Sequence, residues 1–333
     1  MNSLEIARAA LPLWDANSPQ SADFVAGGLT HRLLRVETDD AVFALKLWAP
    51  RATADENGRV RLEQAETLAS LAARCGIPAL AAKAGADGRF LQAIDGQWVS
   101  LYRWICGKTL PPTAAIPARC QRMGAHLGAL HALKVRFPEQ DSPVPEAFER
   151  GHFAEIARRA RVQGAPFASQ LEAALDELEA ANDLAMRAQR ELRDGWVTGH
   201  LDFDQKNVLW QHEQPTILDW ENAKPIHPAL EAMGAALSWA GQSAGNPHRA
   251  SFAAFVAGYR DANVLDETAL NLAVDGVLGK WIIWLEFNLQ RLLDRQIAGT
   301  PEHQIALDAA MHALGATLQL RRDGAMYRSW ISD

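Results

Sequence analysis

The chain has 333 residues, 48% of them apolar, with 33 Lys and Arg against 40 Asp and Glu and a net charge of −7. That length holds one large domain or two ordinary ones, and the acidic balance excludes the basic surface that a nucleic-acid backbone demands. The cysteines Cys75, Cys106 and Cys120 are odd in number and never in CxxC spacing, which excludes a disulfide framework and a zinc site.

Residues 1–14 carry Glu5 and Arg8 and lack a continuous apolar core, so they read as a short amphipathic helix rather than a signal peptide. Strands are expected at 22–27, 31–37 and 41–48, separated by the turn signals Gly27-Gly28 and Asp39-Asp40. A helix over 56–74 follows, with Leu62, Ala65, Leu68, Ala69 and Ala72 at helical spacing and Gly76 and Pro78 as its stop. Two more strands, 88–94 and 97–105, flank a turn at Asp95-Gly96. Beyond Gly107 the pattern is helical at 117–133, 147–162, 168–193, 228–241, 248–262, 267–296 and 303–318. Short strands interrupt it near 196–199, 208–210 and 215–218. The expected fold is α+β: a small antiparallel-sheet lobe over 1–104, a hinge at 101–107, and a large helical lobe over 105–333. No run of about 20 uninterrupted apolar residues occurs. The greasiest stretch, 281–293, is broken by Glu286 and Arg291, so no membrane span is expected and the protein is expected in the cytoplasm.

The chemistry concentrates in the octet His200-Leu-Asp202-Phe-Asp-Gln-Lys-Asn207 and in Asp219 behind it. Phosphoryl transfer asks a protein to position a hydroxyl, a phosphoryl group and metal ions, and to offset developing charge. Asp202 suits a base or orienting carboxylate, Asn207 offers an amide oxygen to Mg²⁺, and Asp219 offers a second metal carboxylate. Upstream, Lys46 lies within the apolar strand Val42-Phe-Ala-Leu-Lys-Leu-Trp48, where an unpaired ammonium is costly to bury. Glu63 or Glu66 on the next helix would supply its partner. Gly27, Gly28 and Thr30 lie in the preceding turn, which would close over phosphates with backbone N–H groups and a hydroxyl. His200 reads as a packing residue beneath the loop.

In this order of parts the chain resembles the aminoglycoside phosphotransferase/choline kinase family, which has a protein-kinase-like bilobal fold. Leu101-Tyr-Arg-Trp-Ile-Cys-Gly107 is similar to the family's hinge, and the resemblance implies that the Arg103 carbonyl and the Ile105 N–H hold adenine. Ile217-Leu-Asp-Trp220-Glu221 resembles its I-D-W-E run, and Glu231 stands where it has a helix aspartate that braces the catalytic loop. The family most often has glycine after the motif histidine, where this chain has Leu201. The resemblance implies an ATP- and Mg²⁺-dependent transfer to a small-molecule hydroxyl.

Asp219 is followed closely by Pro225 and Pro228, which leaves little room for the activation segment of a protein kinase. The nearly all-apolar stretch 281–293 reads as a buried helix, with Trp281, Trp284, Asn288 and Arg291 on one face. Glu221, Trp284, Glu286 and Asn288 are candidate acceptor-binding residues, and an aromatic and acidic lining suits an amine or quaternary ammonium. The rival readings are a nucleotide-binding pseudokinase and a protein kinase. Retention of Lys46, Asp202 and Asp219 weighs against the first and the short segment after Asp219 against the second.

Overall fold

The computed structural model describes residues 2–26, 30–145, 147–294 and 299–332. The chain divides into two compact units, one made of 1–111, 133–140 and 198–224, the other of 112–132, 141–197 and 225–333. The expected boundary near 101–107 marks only the first departure from the sheet-bearing unit. The chain returns to that unit twice, the second time with the whole octet.

The first unit is built on a five-stranded antiparallel sheet. A short helix α1 (Ser3–Ala10) is closed at its start by an Asn2–Glu5 capping box. Strands β1 (Ser21–Val25), β2 (Arg32–Glu37), β3 (Val42–Leu47), β4 (Gln92–Ile94) and β5 (Gln97–Arg103) follow, in spatial order β1-β2-β3-β5-β4. Alternation along the strands sorts the two faces. Leu34, Leu45 and Leu101 lie opposite one another in register and face a core that α1 and Trp14 cover. One residue along, Leu33, Lys46 and Ser100 align on the other face, next to Arg35, Ala44 and Tyr102. Helix α2 (Glu56–Arg74) is capped by Asp55, whose carboxylate accepts the Gly58 N–H at 2.7 Å. β6 (Val197–Gly199) leads into the octet, which ends in the hairpin β7 (Val208–Gln211) and β8 (Gln214–Ile217). Gly107 passes so close to this hairpin that a Cβ there would stand 3.1 Å from the Trp210 carbonyl oxygen. Lys108 exchanges two backbone hydrogen bonds with Trp210 at the same place.

The second unit holds α3 (Pro117–Ala132), α4 (His152–Val162), α5 (Ala168–Ala173), α6 (Leu175–Glu191), α7 (Pro228–Trp239), α8 (Arg249–Ala262), α9 (Glu267–Gly276), α10 (Leu278–Leu293) and α11 (Pro301–Ser332). Three sequence expectations change here. The helix expected over 168–193 is two helices that meet at Ala174, and the one over 267–296 is interrupted at Val277, with its last two residues outside the described ones. The final helix, expected to stop at 318, runs on to Ser332. By length and composition alone Glu267–Leu293 could cross a membrane. Half of its most apolar window is buried, with Leu270, Val274, Ile282, Leu285 and Leu289 among the buried side chains, while Trp284 and Phe287 are exposed. Two pairs of close contacts lock α3 to α8: a Cβ on Gly124 would lie 2.0 Å from the Phe255 carbonyl oxygen, and one on Gly258 would lie 1.9 Å from that of Gln121.

Candidate active site

The octet folds as a self-supporting loop. His200 is fully buried, and its Nε2 donates to the Leu218 carbonyl at 2.9 Å. Its Nδ1 accepts the Asp202 N–H at 3.2 Å, which makes it a neutral strut between the loop and β8. The ring also packs edge-on against Phe203 and tilted against Trp220. Leu201, where the resemblance leads one to expect glycine, has φ 62°, so this position is left-handed and strained for leucine.

The Asp202 carboxylate is held at both oxygens. Asn207 Nδ2 donates to its Oδ2 and to the Asp202 backbone carbonyl, each at 2.8 Å. Lys206 Nζ reaches Oδ1 at 2.8 Å and Asp204 Oδ2 at 2.9 Å, so this lysine bridges two carboxylates although its side chain is 65% exposed. The two Asn207 bonds commit its amide nitrogen to Asp202. The β7–β8 register then brings in Asp219: Val208 pairs with Ile217, and the Leu218 N–H donates to the Asn207 carbonyl at 2.8 Å. Asp219 follows with φ 59° and ψ 61°, a left-handed residue that ends the strand sharply.

Lys46 completes the site from the sheet. Its side chain is 14% exposed, and its Nζ donates to Asp219 Oδ1 at 2.8 Å and to Glu221 Oε2. The ammonium also stands 4.2 Å from the centre of the Trp48 ring. Burial works against its charge, but Asp219 and Glu221 outweigh burial and hold its pKa above the ordinary lysine value. Burial likewise resists ionisation of Glu221. The His31 hydrogen bond and the Lys46 charge prevail and hold Glu221 well below the usual carboxylate range.

The expected partners of Lys46 are engaged elsewhere. Glu63 accepts the N–H groups of Phe90 and Leu91 at 3.1 and 2.9 Å. Glu66 accepts the Ala82 N–H at 2.8 Å and hydrogen-bonds the Tyr102 hydroxyl. Both glutamates therefore clamp backbone and β5 to α2, and the ion pair passes to Glu221. Glu221 itself, expected at the acceptor, serves the lysine. Of the turn residues, Gly27 and Gly28 lie outside the described residues, and Thr30 is exposed. Arg103 ends β5 opposite Phe43, and Ile105 follows it, half-buried, in the hinge.

The remaining acceptor candidates lie in the helical unit. Trp284 is 41% exposed and stacks on Phe287 at 5.4 Å, so the helix expected to be buried all round keeps an open aromatic face. Asn288 is fully buried, its Nδ2 donating to the Trp284 carbonyl at 2.8 Å and its Oδ1 accepting from Arg291 at 3.2 Å, which leaves its amide occupied within α10. Glu286 accepts from Gln290 at 3.0 Å and lies 3.5 Å from His152 Nε2. Glu231 is buried against His131 at 2.9 Å, and the other nitrogen of His131 meets the Tyr259 hydroxyl at 2.7 Å.

Sequence reasoning missed His31, Trp48 and Tyr102. Each acts through a partner 17 to 190 residues away or across a strand pair, and only the period-2 alignment of Tyr102 with Ala44 on the Lys46 face gave a hint.

No curated protein sequence matches the chain. Among solved structures, a spectinomycin phosphotransferase in complex with ADP and spectinomycin superposes with a TM-score of 0.71 at 14% identity, over 96% of this chain and 99% of the other. Choline kinase from Cryptosporidium parvum Iowa II gives 0.63 at 14% identity, over 99% of each chain. A microcompartment-associated aminopropanol kinase gives 0.66 at 17% identity, over 96% of this chain and 97% of the other. At these identities the likeness is one of fold, the protein-kinase-like fold. The sequence itself matches the Phosphotransferase enzyme family over residues 21–267, and the chain is therefore a member of that family.

Proposed function

We propose that the protein transfers the γ-phosphoryl group of ATP to a hydroxyl of a small molecule, with Mg²⁺ as the metal. The observation that carries this reading is the state of Asp202, fixed at both oxygens by Lys206 and Asn207 in a loop whose closing hairpin leads on to Asp219. That donor set is hard oxygen throughout and fits Mg²⁺ better than a softer ion. A cation held by Asn207 and Asp219 would supply the positive charge that offsets the β- and γ-phosphates.

The chain's own groups do the rest. Asp202 orients the acceptor hydroxyl and takes its proton, and Lys46 offers phosphate oxygens an ammonium on a rigid strand. The Ile105 N–H meets no acceptor among the described residues and is open to a base edge, as the hinge resemblance implies. Helix α7 begins only nine positions after Asp219, which favours a small acceptor over a protein. Four carboxylates (Asp202, Asp204, Asp219 and Glu221) against Lys46 and Lys206 favour a cationic one. The spectinomycin phosphotransferase, choline kinase and aminopropanol kinase that share the fold act on such molecules. Dependence on ATP and the three unpaired cysteines suit the cytoplasm.

The test is acceptor-dependent ADP release over aminoglycosides, amino alcohols, homoserine, thiamine and sugars, with Asp202→Asn as the blank. The variant should bind MgATP normally and lose about 10²- to 10⁴-fold in kcat. Tight MgATP binding with no turnover on any acceptor would make the protein a nucleotide-binding scaffold instead.

A further inference from the structure

Lys46 raises a question that the proposed function sharpens. Its ammonium now has two carboxylates, but a metal bound with ATP would draw on Asp219. Glu221 would then be the carboxylate left to hold a lysine whose side chain is 14% exposed. Such an ammonium needs a fixed partner, because an unpaired buried charge is costly.

The structure shows what fixes Glu221. His31 Nδ1 accepts the Ala49 N–H at 2.9 Å, so the ring proton sits on Nε2, which donates to Glu221 Oε1 at 3.2 Å. The side chain is 10% exposed and its ring stands edge-on to Trp48 at 4.8 Å and 72°. The same Trp48 ring lies against Lys46, and its own Nε1 donates to Ser100 Oγ at 2.9 Å. His31, just ahead of β2, thus ties together the start of that strand, the exit of β3 and the Asp219-Trp220-Glu221 segment. Each of its nitrogens has one partner, and neither partner is a glutamate of α2.

We infer that His31 is a positioning residue for nucleotide binding: it holds Glu221 as the standing counter-ion of Lys46, the place that Glu63 and Glu66 leave empty. This rests on the proposed reading of the site as an ATP site. Without the Nε2–H bond, Glu221 is free to turn toward solvent, and Lys46 loses the geometry in which it meets phosphate. A hydrogen bond to a charged group is worth enough to change MgATP affinity about 10-fold or more.

The experiment compares His31→Asn, His31→Gln, Glu221→Gln and the His31→Asn/Glu221→Gln pair with wild type. Asparagine can still accept the Ala49 N–H but cannot reach Glu221, whereas the glutamine amide nitrogen can. The readouts are the Kd of MgATP by calorimetry, the thermal shift that MgATP produces, and the KM values for ATP and for the acceptor. His31→Asn should weaken MgATP binding about 10-fold or more and raise KM for ATP by as much, leaving KM for the acceptor unchanged. His31→Gln should recover most of the loss, and the double variant should be no weaker than Glu221→Gln alone. Equal MgATP affinity in His31→Asn and wild type overturns the inference. So does equal impairment of the Asn and Gln variants, or full additivity in the pair. A wild-type protein that binds no MgATP overturns the reading of the site as well, which separates that failure from this one.

Discussion

Whether Glu66 or Glu221 serves Lys46 can be settled through stability alone. Glu66 is 3% exposed, and burial pushes its carboxyl from 4.5 to about 7, against the opposing pull of Tyr102, the Ala82 N–H and the Lys46 charge. In the unfolded chain the same group titrates near its ordinary value. Between these two values the folded protein binds the proton that the unfolded chain has lost. Stability therefore falls as pH rises through that window, and is level below it and above it. A shift of this size corresponds to about 3 kcal/mol between mildly acidic and mildly alkaline solution. Glu66→Gln removes the titration and keeps both contacts, because the amide oxygen can accept from Ala82 and the amide nitrogen can donate to the Tyr102 hydroxyl.

The variant and the wild type should therefore unfold at similar urea concentrations near about pH 5, and the variant should be about 2–3 kcal/mol more stable near about pH 8. Taking the difference between the two proteins at each pH cancels every other titrating group. A difference that stays constant across the two conditions refutes the reasoning. A wild type that gains on the variant as pH rises would show Glu66 to be an ionised partner of Lys46 after all.

Gly258→Ala should cost about 3 kcal/mol or more, because the new methyl meets the Gln121 carbonyl at 1.9 Å and α3 and α8 must part; the thermal midpoint should drop accordingly. Gly315→Ala is the contrasting case, exposed on α11 with nothing within 4 Å of its Cβ, and should raise stability by about 0.5–1 kcal/mol in the same melts. His131→Leu takes one buried hydrogen-bond partner from each of the Glu231 carboxylate and the Tyr259 hydroxyl and should cost about 3 kcal/mol in urea unfolding, with Glu231→Gln milder because it keeps an acceptor. Of the three thiols, Cys75 and Cys106 are exposed, whereas Cys120 is fully buried and burial pushes it up to about 11; a chromogenic disulfide should titrate two in the native protein and the third only after unfolding.

Local signals carried much of this fold. The alternation in 31–37 and 41–48 set β2 and β3 and put Lys46 on the face opposite the leucine core, as the register shows. The spacing within the octet brought Asp202 and Asn207 together, because a five-residue loop closed by a hairpin has few other arrangements. The partner of Lys46 was not legible for a physical reason. A helix glutamate near a strand lysine looks like an ion pair in sequence, but the segment before β4 and the hydroxyl of Tyr102 arrive from elsewhere in the chain and satisfy Glu63 and Glu66 first. The break at Val277 beside Gly276 is also tertiary, since a Cβ on Gly276 would stand 2.3 Å from Leu230 and the local sequence has no proline to announce it. The end of α11 is fixed by contacts that no local pattern shows. Arg321 and Arg328, beyond the expected end at 318, pair with Glu177 and Asp275 on other helices, and the helix runs eleven residues past Arg321.

The choice of asparagine at 207 follows from the same geometry. A carboxylate would offer a metal more charge than an amide does, so electrostatics toward the metal alone would favour aspartate. But the Asn207 nitrogen lies 2.8 Å from Asp202 Oδ2 and 2.8 Å from the Asp202 carbonyl, and an oxygen in its place would face two acceptors. Two carboxylates at that distance share a proton, which raises the pKa of one and takes from Asp202 the ionised state that a base needs near neutral pH. The amide avoids this by donating on one side and accepting on the other. One side chain thereby orients Asp202 and keeps an amide oxygen for the proposed metal, and the hairpin register that carries the Leu218 N–H to the Asn207 carbonyl brings Asp219 in behind it. Within this loop Asp202, Asn207 and Asp219 are positioned by short-range hydrogen bonds and the hairpin register, and the long-range ionic work falls to Lys46, Glu221 and His31.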